Sequence, residues 1–367
     1  FEAWGIEPDL ALVNIVLPVG ISFYTFQTMS YTIDIYRREL EPTKNFINFA
    51  VFVSFFPQLV AGPIERAKRL LPQVEKPRKL DYSGFREGAW LILLGYFKKV
   101  VIADNMAVFA EQIFANPEGA SGLAVIVGVW AFAFQIYGDF SGYSDIARGT
   151  AKLLGFDLML NFRMPYLATN PKDFWSRWHI SLSTWLRDYL YVPLGGNRGG
   201  SLMMYRNLMI TMVLGGLWHG AAWNFIAWGF YQGFILICHR LVQPFLRWIA
   251  PSGVRGKAVW KLACMVVFFQ VTCFGWLLFA VRDLSDVPTL LSAVFSPFTF
   301  NGKVGLLSLA VFCVPMLALN LFKERGGDIL AVGRLPKGLR LAIYCAIFAA
   351  ILCCGVIDGR EFIYFQF

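Results

Sequence analysis

The sequence predicts an all-α integral membrane protein that crosses the bilayer several times. Three observations lead there. Of 367 residues, 57% are hydrophobic and 16% are charged, against roughly 25% charged in soluble domains. The mean hydropathy is +0.54. Charge-free apolar runs recur along the chain with lengths near the roughly 20 residues that a helix needs to cross a hydrocarbon core of about 30 Å. Strict two-residue alternation is absent, so these runs read as helices and not barrel strands. This composition excludes a disordered protein, a collagen-like fibre and a disulfide scaffold, and argues against a soluble enzyme.

In chain order the expected spans are 10–33, 45–64, 85–104, 119–138, 262–281, 304–322 and 341–357, with a longer run at 207–238. The run 85–104 contains Lys98 and Lys99, which are expected to snorkel from one end. The 32 residues of 207–238 are too few for two full spans and read as a pair of short or re-entrant helices meeting near Ala222. Segment 139–206 carries eight Lys/Arg among many Trp, Tyr, Phe and Leu, a mixture that fits interfacial or partly inserted helices.

The net charge is +9, from 33 Lys/Arg and 24 Asp/Glu. Basic residues gather on cytoplasmic loops, so the basic stretches 65–79, 239–261 and 323–340 are expected inside. The stretches 105–118 and 282–303 are expected outside, together with the tail 358–367. No basic stripe adjoins a nucleic-acid motif, so nucleic acid is not an expected partner. The chain opens on Phe with no signal-peptide pattern, and further spans are expected before it. There is no internal repeat or linker, so 1–367 reads as a single membrane domain. The cysteines Cys238, Cys264, Cys273, Cys313, Cys345, Cys353 and Cys354 lack zinc-ligand spacing and read as buried small hydrophobes; no metal site is expected.

The chemistry rests on three histidines. His239 stands beside Arg240 at the end of a run and reads as interfacial. His219 lies in Leu214-Gly215-Gly216-Leu217-Trp218-His219-Gly220. Glycine weakens a helix and permits close backbone approach. Irregular backbone at membrane depth is tolerated only where it is buried or lines a cavity, so His219 reads as a cavity-lining residue, with hydrogen-bonded helix packing as the plain alternative. His179 sits within Asp173–Tyr189. Read as one helix, Trp175, Trp178, Leu182, Trp185 and Tyr189 form a packing stripe. His179, Ser183 and Arg187 form a row beside it, which serves either a site or packing. Asp139 and Asp145 follow an expected span; they orient a histidine or hold a cation, or else Asp145 or Ser144 caps a helix, and capping is the preferred reading. The turn Pro193–Gly200 lacks phosphate-loop spacing.

No nucleophile elbow, adjacent Cys–His pair or His-Glu-x-x-His motif occurs. What remains is a histidine general base in a membrane cavity, removing a proton from a hydroxyl as its oxygen attacks an acyl carbonyl. Asn224, Trp218 and loosened backbone N–H groups are candidate oxyanion donors.

Two stretches carry a resemblance: Trp178-His179-Ile180-Ser181-Leu182-Ser183-Thr184-Trp185-Leu186-Arg187-Asp188-Tyr189, continuing to Asn197, and Leu217-Trp218-His219-Gly220. Supporting them are Gln58–Ile64, Gly138–Asp145, Asn161-Phe162 with Pro165-Tyr166, and Phe362–Phe367. Together they resemble the membrane-bound O-acyltransferase (MBOAT) family, and within it the bacterial branch that serves alginate O-acetylation. The resemblance implies a multi-pass fold around a transmembrane tunnel in the bacterial inner membrane. It implies a cytoplasmic acyl donor, with acetyl-CoA expected and no bound cofactor. It makes His219 the catalytic histidine and His179 the second site residue. Trp178, Ser183, Arg187, Asp188, Trp218, Asn224 and Asp139 are candidates for the substrate path. It implies an extracytoplasmic acetyltransferase of the SGNH-hydrolase type and the polysaccharide synthesis machinery as partners. Acetylation of peptidoglycan or cellulose, and D-alanylation of teichoic acid, are the alternatives within the family. A transporter or an assembly scaffold is the alternative outside it.

Overall fold

The computed structural model describes residues 20–120, 122–297, 300–326, 331–356 and 360–363. Among these, every regular element is helical. Among the described residues five helices are long and apolar enough to cross a membrane, and the chain is a multi-pass membrane protein.

The first expected span lies partly outside the described residues; α1 covers Ile21–Tyr36. The second expected span is corrected. Helix α2 is only Phe46–Ser54, with Phe55 already extended. Pro57 is the reason, because helices usually end at or before the residue that precedes a proline, here Phe56. After α3 (Ala67–Glu75), α4 runs Tyr82–Tyr96, continues as π-helix over Phe97–Ala103 and passes into α5, Asp104–Phe114. The expected outside loop 105–118 is therefore mostly helix.

Helix α6 (Gly122–Leu153) is the centre of the bundle. Its apolar window is 78% buried, against 6% for α14 (Lys337–Cys354). It continues well past the expected end at residue 138 and carries both Asp139 and Asp145, which corrects the reading in which Asp145 or Ser144 caps a helix. Both carboxylates lie in mid-helix and face the π-helical turn. Asp145 pairs with Lys98 at 2.6 Å, and Asp139 pairs with Lys99 at 2.9 Å. Lys99 also reaches Asp104 at 2.9 Å. The lysines do not snorkel. An unpaired charge in this interior costs several kcal/mol, and the carboxylates across the helix interface hold them inside.

Glycines bring the two helices close enough for these pairs. A Cβ on Gly95 would meet the Gly142 carbonyl oxygen at 2.6 Å, and one on Gly149 would meet that of Gly88 at 2.6 Å. Small residues that let backbones touch are the usual means of helix association in membranes.

Between α6 and α9 the chain makes short elements that span nothing: α7 (Pro171–Trp175), α8 (Ile180–Leu186) and a π-helical turn at Arg187–Tyr191. The single helix expected across Asp173–Tyr189 is thus broken at His179. Helices α9 (Ser201–His219) and α10 (Trp223–Ile249) meet at Gly220–Ala222, where the sequence places the junction. They are longer than the short pair expected, because flanking residues on both sides join them, and the stretch between α10 and α11 (Val254–Ala280) shrinks to 250–253. Helix α12 (Asp286–Ala293) and α13 (Phe300–Gly326) precede α14. Cys273 and Cys313 are buried, but Cys345, Cys353 and Cys354 are exposed on α14, which corrects the buried reading for these three.

Candidate active site

The two histidines enter the site from different irregularities. Helix α9 stops at His219 because Gly220 turns the chain out of helical geometry. A Cβ on Gly220 would meet the Phe225 ring at 2.6 Å, so glycine lets α10 fold back against the turn. His219 is half-buried in the corner. Its ring packs against Trp218 at 4.8 Å, Phe279 of α11 at 5.1 Å and Trp228 of α10 at 5.3 Å.

His179 is 1% exposed and caps α8 in the left-handed region, with φ 42° and ψ 56°. That conformation costs a non-glycine residue of order 1–3 kcal/mol and persists only when its surroundings impose it. Asn161, itself fully buried, imposes it here. Its backbone carbonyl accepts the Ile180 N–H at 2.9 Å. Its side-chain Oδ1 accepts the Ser181 hydroxyl at 2.9 Å and lies 3.1 Å from His179 Nδ1. Its Nδ2 donates to the Ser144 hydroxyl on α6 at 3.2 Å. That donation orients the amide, so Oδ1 faces the imidazole and His179 Nδ1 carries the proton. Nε2 then holds the free lone pair, and it has no hydrogen-bond partner among the described residues.

Aromatic rings enclose this imidazole. Phe140 stands edge-on at 4.6 Å, Phe23 stacks at 6.3 Å and Trp218 lies at 6.1 Å. Trp218 therefore touches both histidines and joins them into one cluster.

The other expected residues separate into three groups. Trp218 lies in the cluster, and Trp178, 4% exposed, packs beside it against Phe162 and Trp276. Asn224 is near His219, but its amide donates to the Phe279 carbonyl at 3.0 Å. Asp139 is one residue from Phe140 and serves Lys99 and the Ile363 N–H. Ser183 donates to the Trp178 carbonyl, so it does not continue a row from His179. Arg187 and Asp188 pair with each other at 2.7 Å on a surface patch, their side chains 61% and 41% exposed, where Asp188 also faces Arg66 at 3.7 Å.

Asn161 is the residue that local pattern analysis does not single out as chemical. It lies 18 positions before His179 in irregular chain, where no period links the two. Its only sequence signal is its place in a family motif.

The fold and the histidine cluster define a polytopic α-helical membrane protein with two imidazoles gathered around one indole. The chain belongs to the MBOAT, or membrane-bound O-acyltransferase, family, whose profile matches residues 14–281. It is 44% identical over 294 residues to the "Probable alginate O-acetylase AlgI" of Azotobacter vinelandii and to that of Pseudomonas aeruginosa, covering 80% of this chain and 56% and 54% of theirs. It is 36% identical over 311 residues to the "Peptidoglycan O-acetyltransferase" of Helicobacter pylori, covering 77% of this chain and 57% of that protein. The chain spans a little over half the length of these relatives.

Proposed function

We propose that this protein is a membrane O-acyltransferase that moves acetyl groups from cytoplasmic acetyl-CoA across the bacterial inner membrane for O-acetylation of an exopolysaccharide, alginate. It works with the polysaccharide synthesis machinery and with a separate extracytoplasmic acetyltransferase of the SGNH-hydrolase type, which decorates the polymer. The observation that carries this reading is the enclosure of His179 and His219 around one indole, with the tautomer of His179 held by Asn161. The higher identity to alginate O-acetylases than to the peptidoglycan enzyme supports alginate over peptidoglycan.

His219 is the general base. It takes the proton of an acceptor hydroxyl as that oxygen forms a bond to the acetyl carbonyl carbon. The carbon–sulfur bond of the thioester then breaks, and the proton passes to the departing thiolate. His179 Nε2 accepts a hydrogen bond from a second N–H or O–H of the bound substrates and so holds them beside His219. Trp218, in contact with both imidazoles, is assigned to the developing oxyanion. The aromatic enclosure keeps water from hydrolysing the thioester.

The test uses the full chain in sealed vesicles supplied with acetyl-CoA on one face. Acceptor-dependent release of free thiol, lost in His219→Ala, is the expected result. Export without thioester cleavage would replace this reading with a transporter. Acetylation that persists in His219→Ala, so long as the complex assembles, would replace it with a scaffold.

A further inference from the structure

The segment 360–363 is anchored in the bundle at Ile363, while Arg360 and Phe362 are half-buried and Glu361 is exposed. Ile363 is 1% exposed, and its backbone N–H donates to Asp139 Oδ2 of α6 at 2.7 Å. The Phe362 ring packs against Tyr143 at 5.3 Å and Phe140 at 6.0 Å. Arg360 reaches Glu111 of α5 at 2.6 Å. Upstream, the chain leaving α14 is tied to the π-helical turn: Val356 N–H donates to the Val100 carbonyl, and Asn105 donates to the Cys354 carbonyl.

The place where this segment enters gives it significance. Phe140 is fully buried, and its ring stands edge-on to His179 at 4.6 Å. The rings of Phe162 at 4.9 Å and Phe362 at 6.0 Å are two of its other walls. One ring therefore separates Phe362 from the imidazole. Asp139, which receives the Ile363 N–H, is the residue before Phe140, so the same segment restrains that ring through the backbone as well.

We propose that residues 360–363 form a strap that positions His179 for acyl transfer, with Phe362 and Ile363 as positioning residues acting through Phe140. The proposal rests on the acyltransferase reading. Removing the Phe362 ring opens a void beside Phe140, and protein interiors refill such voids only in part. His179 sits in a strained left-handed turn, so it follows the ring that supports it. A displacement of about 1 Å at a reacting group costs on the order of a hundredfold in rate.

The experiment measures acetyl transfer by the full chain in vesicles for wild type, Phe362→Ala, Phe362→Tyr, Ile363→Pro and Arg360→Ala, at matched folded amounts. Ile363→Pro removes the N–H that Asp139 accepts. The expected result is a kcat lower by roughly 10- to 100-fold in Phe362→Ala and Ile363→Pro, with KM for acetyl-CoA within about twofold. Phe362→Tyr keeps the ring and retains activity. Arg360→Ala loses only a partly exposed ion pair and stays near wild type. If Phe362→Ala fails to fold, Phe362→Leu takes its place. A second readout does not depend on activity: diethyl pyrocarbonate modifies His179 faster in Phe362→Ala than in wild type, followed by mass spectrometry of its peptide. Wild-type kcat in Phe362→Ala, or an unchanged rate of His179 modification, overturns the strap. Absence of transfer in wild type overturns the acyltransferase reading and leaves the modification rate as the measure of the strap.

Discussion

Nδ1 of His179 and Oδ1 of Asn161 lie 3.1 Å apart in a fully buried setting, and the same oxygen accepts the Ser181 hydroxyl. An amide oxygen only accepts, so the contact requires the proton on Nδ1 and leaves Nε2 as the basic atom. A one-atom choice of tautomer is thereby written into a residue 18 positions upstream.

Asn161→Leu removes this acceptor and leaves Ser181 and Ser144 without their partner. We expect acetyl transfer to fall by about 10²-fold or more, the usual scale for a misdirected acid–base group. Asn161→Asp keeps an acceptor in place and is expected to retain more activity than Asn161→Leu. Rates at matched folded amounts check this. Full activity in Asn161→Leu would remove His179 from the chemistry.

The Lys98–Asp145 pair is buried, with side chains 6% and 11% exposed, and Arg148 approaches the same carboxylate at 3.9 Å. Removing one partner leaves an uncompensated charge, a loss of about 3–5 kcal/mol, whereas replacing both with apolar residues is often close to neutral. Asp145→Leu alone is therefore expected to lower the thermal midpoint in detergent more than Lys98→Met with Asp145→Leu. The reverse order would show that the pair does not act as a unit.

Glu65 precedes α3, outside the membrane-spanning helices. Burial pushes its carboxyl up to about 7, against the Met159 N–H and Arg69, which pull it down. The folded state thus favours the protonated acid. Stability is complete below the ordinary carboxylate range near 4.5, falls as pH rises through that range toward 7, and is level above it. The thermal midpoint of the wild type is expected to drop between pH 5 and pH 8 more than that of Glu65→Gln. Parallel curves for the two proteins would contradict this.

The positions of the long helices are legible in the sequence because length and charge-free composition are local properties. The break between α9 and α10 is legible for the same reason, since Gly220 and its neighbours mark it. The end of α6 is not. Asp139 and Asp145 read as the edge of a span until Lys99 and Lys98 are seen across from them, and those partners lie 40 and 47 positions away. The chain around His179 misleads in another way. Its tryptophans repeat with a helical period, yet a left-handed turn held by Asn161 splits the helix. The early end of α2 was available in Pro57, since helices usually end at or before the residue preceding a proline, a local rule. Of the candidate site, the two histidines and Trp218 come together, while Arg187 and Asp188 stand on an exposed patch, because the chain breaks at His179 and no single helix carries them in register with it.

The measurement closest to the central claim is the acetyl content of secreted polysaccharide in a strain lacking this gene. The strain is complemented with wild type, His219→Ala or His179→Ala at equal membrane levels. The account predicts acetylated polymer with wild type and its loss with His219→Ala, despite normal protein amount and partner binding. Full acetylation with His219→Ala would contradict histidine-dependent acyl transfer.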